Sequence, residues 1–135
     1  MQINSIVMDV NVWITIFLNK QAFWFEIIVK EKKTQIFRCK ELTEELKDVL
    51  GRKKFKDIFN NPISDYISIY EYYTKNLQIR RVFKDCSDTN DNYLFDLAEQ
   101  SKSQYLVSGD KAVLTTMVNS PLKIISLSDF KQIFL

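Results

Sequence analysis

The sequence predicts an α/β fold, a three-layer α/β/α sandwich around a central five-stranded, mainly parallel sheet. Two observations carry that expectation. Short β-prone runs alternate with longer helical patterns, the order that lays strands side by side in one sheet and covers both faces with helices. Only two Gly and two Pro occur among 135 residues, which calls for regular elements joined by short connections. That length fits a single domain, residues 1–135, able to bury its own core.

The first strand is read at Ile3 to Met8, where the apolar run Ile6-Val7-Met8 ends at Asp9, a residue that can also cap a following helix. A helical pattern over Gln21 to Lys33 leads to a strand at Thr34 to Arg38. The helix from Lys40 to Leu50 carries Leu42, Leu46, Val49 and Leu50 on one face, and a short helix is read near Arg52 to Phe59. Asn61-Pro62 reads as an N-cap followed by proline at the first helical position of a helix reaching Asn76. Ile63, Tyr66, Ile67, Tyr70, Tyr73 and Leu77 mark its apolar face. A strand at Gln78 to Phe83, a helix at Thr89 to Ser101 and a strand at Gln104 to Ser108 follow. A helix at Lys111 to Val118, a strand at Lys123 to Ser126 and a helix at Ser128 to Phe134, with Ser128 as its N-cap, complete the chain.

Hydrophobic residues make up 46% and charged residues 27%, ordinary globular values that exclude disordered and fibrous classes. The net charge of +2 is too small to argue for a nucleic-acid partner by itself. Distribution says more. Cations cluster at Lys30, Lys32 and Lys33, at Arg52, Lys53, Lys54 and Lys56, and at Arg80, Arg81 and Lys84. Such clusters are ordinarily solvated faces, yet a basic rim around an acidic centre suits a polyanionic substrate. Cys39 and Cys86 form no CxxC and support neither a zinc site nor a disulfide scaffold. Without a signal-like N-terminus or a membrane-length apolar run, the expected setting is soluble and cytoplasmic.

Four acids stand where elements begin or end: Asp9, Glu45, Asp91 and Asp110. Asp9 and Asp110, the latter behind Ser108-Gly109, follow apolar strands, where open α/β sheets place their ligands. Gly109 permits a turn with close backbone approach. Helical phase puts Glu45 at the edge of the apolar face of its helix and assigns Glu41, Glu44 and Asp48 to solvent. The same test places Asp91 on the buried side with Leu94, Leu97, Ala98 and Ser101, and makes Asp96 and Glu99 surface charges. Capping competes at two of them: Asp9 can cap the helix that follows it, and Asp88 can be an N-cap with Asp91 merely supporting the helix start, while Ser108 can serve simply as a turn residue. Asn11 and Ser108 are polar candidates for orienting the carboxylates. Clustered carboxylates repel one another unless a cation neutralises them, and oxygen ligands without any histidine suit Mg²⁺ or Mn²⁺. The absence of histidine also removes the base that a Ser or Cys nucleophile needs.

On these residues the chain resembles the PIN-domain ribonucleases, in particular the VapC-like toxin components of toxin-antitoxin systems. Asp9-Val10-Asn11-Val12 is similar to the family's opening Asp-Thr-Asn-Val, and Glu45-Leu46 to its Glu-Leu helix, continued by the basic, Phe-containing Arg52-Lys53-Lys54-Phe55. Asp88-Thr89-Asn90-Asp91-Asn92 is similar to its Asp-x-x-Asp-Asn, and Ser108-Gly109-Asp110-Lys111 to its Thr-Gly-Asp-Lys. The resemblance implies catalytic, metal-binding Asp9, Glu45, Asp91 and Asp110, with Asn11, Ser108 and Asn92 as polar support. It further implies metal-dependent endoribonuclease activity, an RNA substrate, a small cognate antitoxin and a homodimer. Val10 departs from the family's hydroxyl residue, which keeps a non-catalytic RNA- or partner-binding module as the alternative. A haloacid-dehalogenase-like phosphatase is less favoured, because Asn11 stands where its second Asp belongs. The aromatic residues Phe17, Phe23, Trp24 and Phe25 are candidates for a partner surface, against core packing for Trp13 and Trp24. Tyr70, Tyr72 and Tyr73 are candidates for base stacking, against core packing.

Overall fold

The computed structural model describes residues 4–134. Strands β1 (Ser5–Met8), β2 (Gln35–Arg38), β3 (Thr74–Asn76), β4 (Tyr105–Val107) and β5 (Lys123–Ile125) form one sheet in the order β3-β2-β1-β4-β5. Every pairing is parallel, so the sheet is wholly and not just mainly parallel. Parallel strands demand crossovers, and the helices that supply them cover the sheet. The Ile3 at which the first strand was expected to start lies outside the described residues.

Helix α1 (Val10–Leu18) begins after Asp9, the residue read from sequence as able to cap a following helix, and its own span carries no helical pattern in the sequence. It buries Val10, Val12, Trp13, Ile14, Ile16 and Phe17, so it has little polar face from which a 3.6-residue rhythm can be read. Trp13 anchors it: the indole N–H donates to the Met8 carbonyl at 3.1 Å, and the ring packs 4.6 Å from Phe25 and 4.9 Å from Tyr70. Helix α2 (Phe23–Glu26) widens into π-type turns over Ile27–Glu31, within the expected Gln21 to Lys33. Helix α3 (Lys40–Leu50) has the expected limits, and α4 (Lys53–Lys56) is shorter than expected. Of the four aromatic residues proposed for a partner surface, Phe17, Trp24 and Phe25 are buried and only Phe23 is exposed. Tyr70 is likewise core, which leaves Tyr72 as the exposed tyrosine of its helix.

The main departure lies between α5 (Ile63–Tyr73) and α6 (Asn92–Gln100). Helix α5 ends early because Thr74–Asn76 turns into the edge strand β3, where Arg38 Nη1 donates to the Thr74 carbonyl and hydroxyl, both at 2.8 Å. Residues 78–83, expected as a strand, pair with no strand among the described residues. Side chains of α6 take the partner's place: Gln100 exchanges two hydrogen bonds with the Arg80 backbone, Asp96 accepts from the Val82 and Phe83 N–H groups, and Asn92 accepts from Cys86. Those residues recur every fourth position and form one stripe along α6. Asp96 is therefore buried, 3% exposed, and not the surface charge that helical phase suggested.

Helix caps also shift. Pro62 itself precedes α5 without any side-chain cap, so Asn61 plays no capping part. Helix α7 is Lys111–Leu114 and α8 is Leu127–Phe134. Ser128 lies inside α8, and Ser126 caps it by accepting from the Asp129 N–H at 3.1 Å. Among the described residues no single helix is long and apolar enough to cross a membrane, and the apolar pair Val10–Leu18 and Phe23–Glu31 is bent by 118°. Both cysteines are buried and free.

Candidate active site

Strands β1 and β4 are neighbours, so the residues leaving their C-terminal ends meet. Asp9 is 4% exposed and accepts three hydrogen bonds: Oδ1 from the Val10 N–H at 2.7 Å, Oδ2 from Ser108 Oγ at 2.7 Å and from Asn11 Nδ2 at 3.2 Å. Ser108 Oγ in turn accepts from the Asp110 N–H at 3.0 Å, tying both acids to one hydroxyl. Asn11 Oδ1 accepts from the Gly109 N–H at 3.0 Å, which closes the turn after β1 against the turn after β4. Gly109 is not there for a special backbone angle, because no glycine has positive φ and a Cβ would meet Asn11 Oδ1 at an ordinary 3.5 Å. Burial pushes the Asp9 carboxyl up to about 6, against the opposing pull of the Ser108 and Val10 bonds.

Asp9 does the capping work that competed with its functional reading, and Asp110 caps a helix as well. Asp9 caps α1 through Val10, and Asp110 caps α7 by accepting from the Ala112 N–H at 3.0 Å. The two roles are compatible, because each cap uses one carboxylate oxygen.

Asp91 closes a single 3-10 turn, Thr89–Asp91, that leads into α6. It is 7% exposed, and its Oδ2 is buried without a hydrogen-bond partner. Asp88 caps that turn by accepting from the Asn90 N–H, as expected, but its carboxylate also joins the site. Ligand oxygens of Asp88, Asp91 and Asp110 lie within 4.8 Å of one another, and this trio is the tight acidic cluster among the described residues. Burial, the neighbouring Asp110 carboxyl and the charges of Asp9, Asp88 and Asp110 push Asp91 up to about 7.

Glu45, on α3, is half-buried and its Oε2 accepts from the phenol of Tyr93, on α6. Burial and then Glu45 itself drive the Tyr93 phenol far above its usual range, so it stays a donor. Asp9, Glu45, Asp91 and Asp110 line one open cleft of about 340 Å³, together with Val10, Asn11, Arg52, Lys54 and Phe55. A roomier groove of about 460 Å³ around Phe17, Ile58, Phe59 and Tyr66 has no carboxylate in its lining, so volume alone does not mark the site.

An orphaned, buried carboxylate oxygen beside two further acids is the arrangement a cation resolves, with oxygen donors suited to Mg²⁺ or Mn²⁺. Asp88, Asp91 and Asp110 would hold it directly, with Asp9 and Glu45 close at hand. Of the predicted supports, Asn11 and Ser108 face the carboxylates, whereas Asn92 turns away to bind the Cys86 N–H. Glu41 is drawn from solvent toward Arg81 at 3.7 Å. Sequence reasoning missed the site roles of Asp88 and Tyr93. Tyr93 left a signal, since a hydroxyl four residues before the buried Leu97 shares its face and needs a polar partner.

Fold and site together define a parallel α/β domain with an acidic, cation-suited rim at the C-terminal ends of its central strands. A PIN domain family model matches residues 5–112, well over half of the chain, and the chain belongs to the PIN domain family. PIN domains are generally metal-dependent nucleases. No curated protein matches the chain.

Proposed function

We propose that this protein is a divalent-cation-dependent endoribonuclease and the toxin of a toxin-antitoxin pair. The observation that carries the nuclease reading is the partnerless Asp91 Oδ2, buried where Asp88 and Asp110 converge. A divalent cation held by Asp88, Asp91 and Asp110 would supply activation of water and would offset the charge that develops on a phosphodiester undergoing hydrolysis. The protein's share is positioning. Ser108 and Asn11 fix the Asp9 carboxylate, Ser108 also holds the Asp110 backbone, and Tyr93 aims Glu45 by occupying its Oε2. Val10 contributes its backbone N–H to Asp9, so the missing hydroxyl at this position leaves the acid's own support in place. The toxin role, the small antitoxin and a homodimer are part of the same proposal and rest on the sequence motifs.

The test is incubation of purified protein with structured RNAs in Mg²⁺, Mn²⁺ or EDTA, with Asp91→Asn alongside. Cleavage that requires the cation and disappears in the variant supports the reading. A folded, cation-binding wild type that leaves every RNA intact would transfer the weight to a binding module.

A further inference from the structure

The three basic clusters of the sequence are not equivalent in the fold. Lys30, Lys32 and Lys33 precede β2, at the N-terminal end of a parallel sheet whose acids stand at the C-terminal end. Arg81 is drawn to Glu41 at 3.7 Å and Asp96 at 3.8 Å, while Arg80 and Lys84 line a separate hollow with Asp96 and Glu99. Of the three clusters, among the described residues, the one that opens α4 reaches the acidic cleft, whose lining holds Arg52 and Lys54 together with Asp9, Asp91 and Asp110. Arg52 is held by nothing stronger than an exposed contact with Asp48 at 3.4 Å, an interaction easily exchanged for a phosphate. The Lys54 ammonium lies 5.0 Å from the Phe55 ring, so its charge sits over an apolar wall of the cleft.

A polyanion approaching four carboxylates meets repulsion, and the cationic side chains of Arg52 and Lys54 in the same lining give it a favourable place to bind. We propose that Arg52 and Lys54 form a phosphate-binding subsite for single-stranded RNA, gripping the backbone beside the scissile bond and setting the direction in which the strand crosses the site. Guanidinium and ammonium groups divide this work as a forked donor and a point charge. The inference rests on the ribonuclease reading and deepens it.

The experiment measures binding of a fluorescent single-stranded RNA in the Asp91→Asn background, which suppresses cleavage, across a series of salt concentrations. Arg52→Gln with Lys54→Gln should weaken binding about tenfold and lower the salt slope by about 1.4, the value for two lost single-strand phosphate contacts. Lys32→Gln with Lys33→Gln, at the far end of the sheet, should change neither. Mn²⁺ binding to the Arg52→Gln, Lys54→Gln protein with Asp91 intact should be undiminished, since a general collapse of the site would weaken both ligands. Equal effects from the two double variants, or unchanged affinity and slope on losing Arg52 and Lys54, would overturn the subsite. A single-stranded DNA bound as tightly, with the same dependence on Arg52 and Lys54, supports the backbone grip. If instead the wild type fails to cleave RNA in any cation, it is the ribonuclease reading that has failed, and the subsite falls with it.

Discussion

Asp91 and Asp96 stand five residues apart at the start and in the middle of one helical stretch, and both are buried, 7% and 3% exposed. Their surroundings are opposite. Asp96 accepts from the Val82 and Phe83 N–H groups at 3.1 and 2.9 Å and faces Arg81 at 3.8 Å, so its negative charge is matched within the protein. Asp91 has an oxygen with no donor and is surrounded by Asp9, Asp88 and Asp110. Burial of a carboxylate therefore does not separate a structural acid from a functional one. Its satisfaction does set Asp91 apart from Asp96, since a buried carboxylate oxygen without a donor is one that a cation can match.

The sharpest test exchanges the charge at each position. Asp91→Asn should lower Mn²⁺ affinity and any cation-dependent cleavage by at least about a hundredfold, the scale on which ligands and their supports act. In EDTA the same variant should melt no lower than wild type, since it removes an unmatched buried charge. A melting temperature that falls while cation affinity holds would reverse the comparison.

Asp96→Ala should do the opposite. With two backbone N–H groups and Arg81 deprived of their acceptor, it should cost about 1–3 kcal/mol in urea unfolding. Mn²⁺ affinity, measured by titration calorimetry on the folded variant, should stay within a few-fold of wild type. A large loss of affinity would mean that the segment before Asp88 transmits more to the site than the hydrogen bonds suggest.

Tyr93→Phe removes the hydroxyl that donates to Glu45. Turnover should fall by about 3–10-fold with little change in KM for RNA, the pattern of a misaimed side chain whose substrate contacts survive. Loss confined to KM would assign Tyr93 to substrate binding instead.

The smallest effect is a pH dependence with a defined sign. Asp91 is raised from 3.8 to about 7 and Asp9 from 3.8 to about 6, so the folded protein holds protons that the unfolded chain releases. Their contribution to stability is fully present below pH 3.8 and is lost as pH rises through about 6 and then about 7. In EDTA, the stability of wild type relative to Asp91→Asn should decline from pH 4 to 8, and saturating Mn²⁺ should reverse the trend at the upper end by replacing protons with a cation. A flat difference across that range would remove Asp91 from the titrating set.

Much of the candidate site was legible because its signals are local. Asp9 and Asp110 each follow an apolar run of one strand, and the parallel rule then brings both ends to one edge. Glu45 was separated from Glu44 by a single helical turn's geometry, with α3 forming over the expected residues. The same logic failed for Asp96, because helical phase reports distance from the hydrophobic face and not whether a neighbouring segment lies over the polar one. It failed for Gln78 to Phe83 as well. That run has strand character, but its backbone partners are the side chains of Asp96 and Gln100, contacts made across up to twenty residues.

The sequence by itself determined the α/β class, most strands and helices, and the four acids at element ends, because periodicity and capping act within one or two turns of chain. Only the tertiary structure decided that Asp88 joins the cluster, that Tyr93 aims Glu45, that Asn92 serves the backbone and not the cleft, and which basic cluster looks into the site. Each of those depends on how parallel strands order themselves as β3-β2-β1-β4-β5 and on what that order packs together. Hydrogen-bond partners and electrostatic neighbours are properties of distance in space, which a linear pattern of residues does not contain.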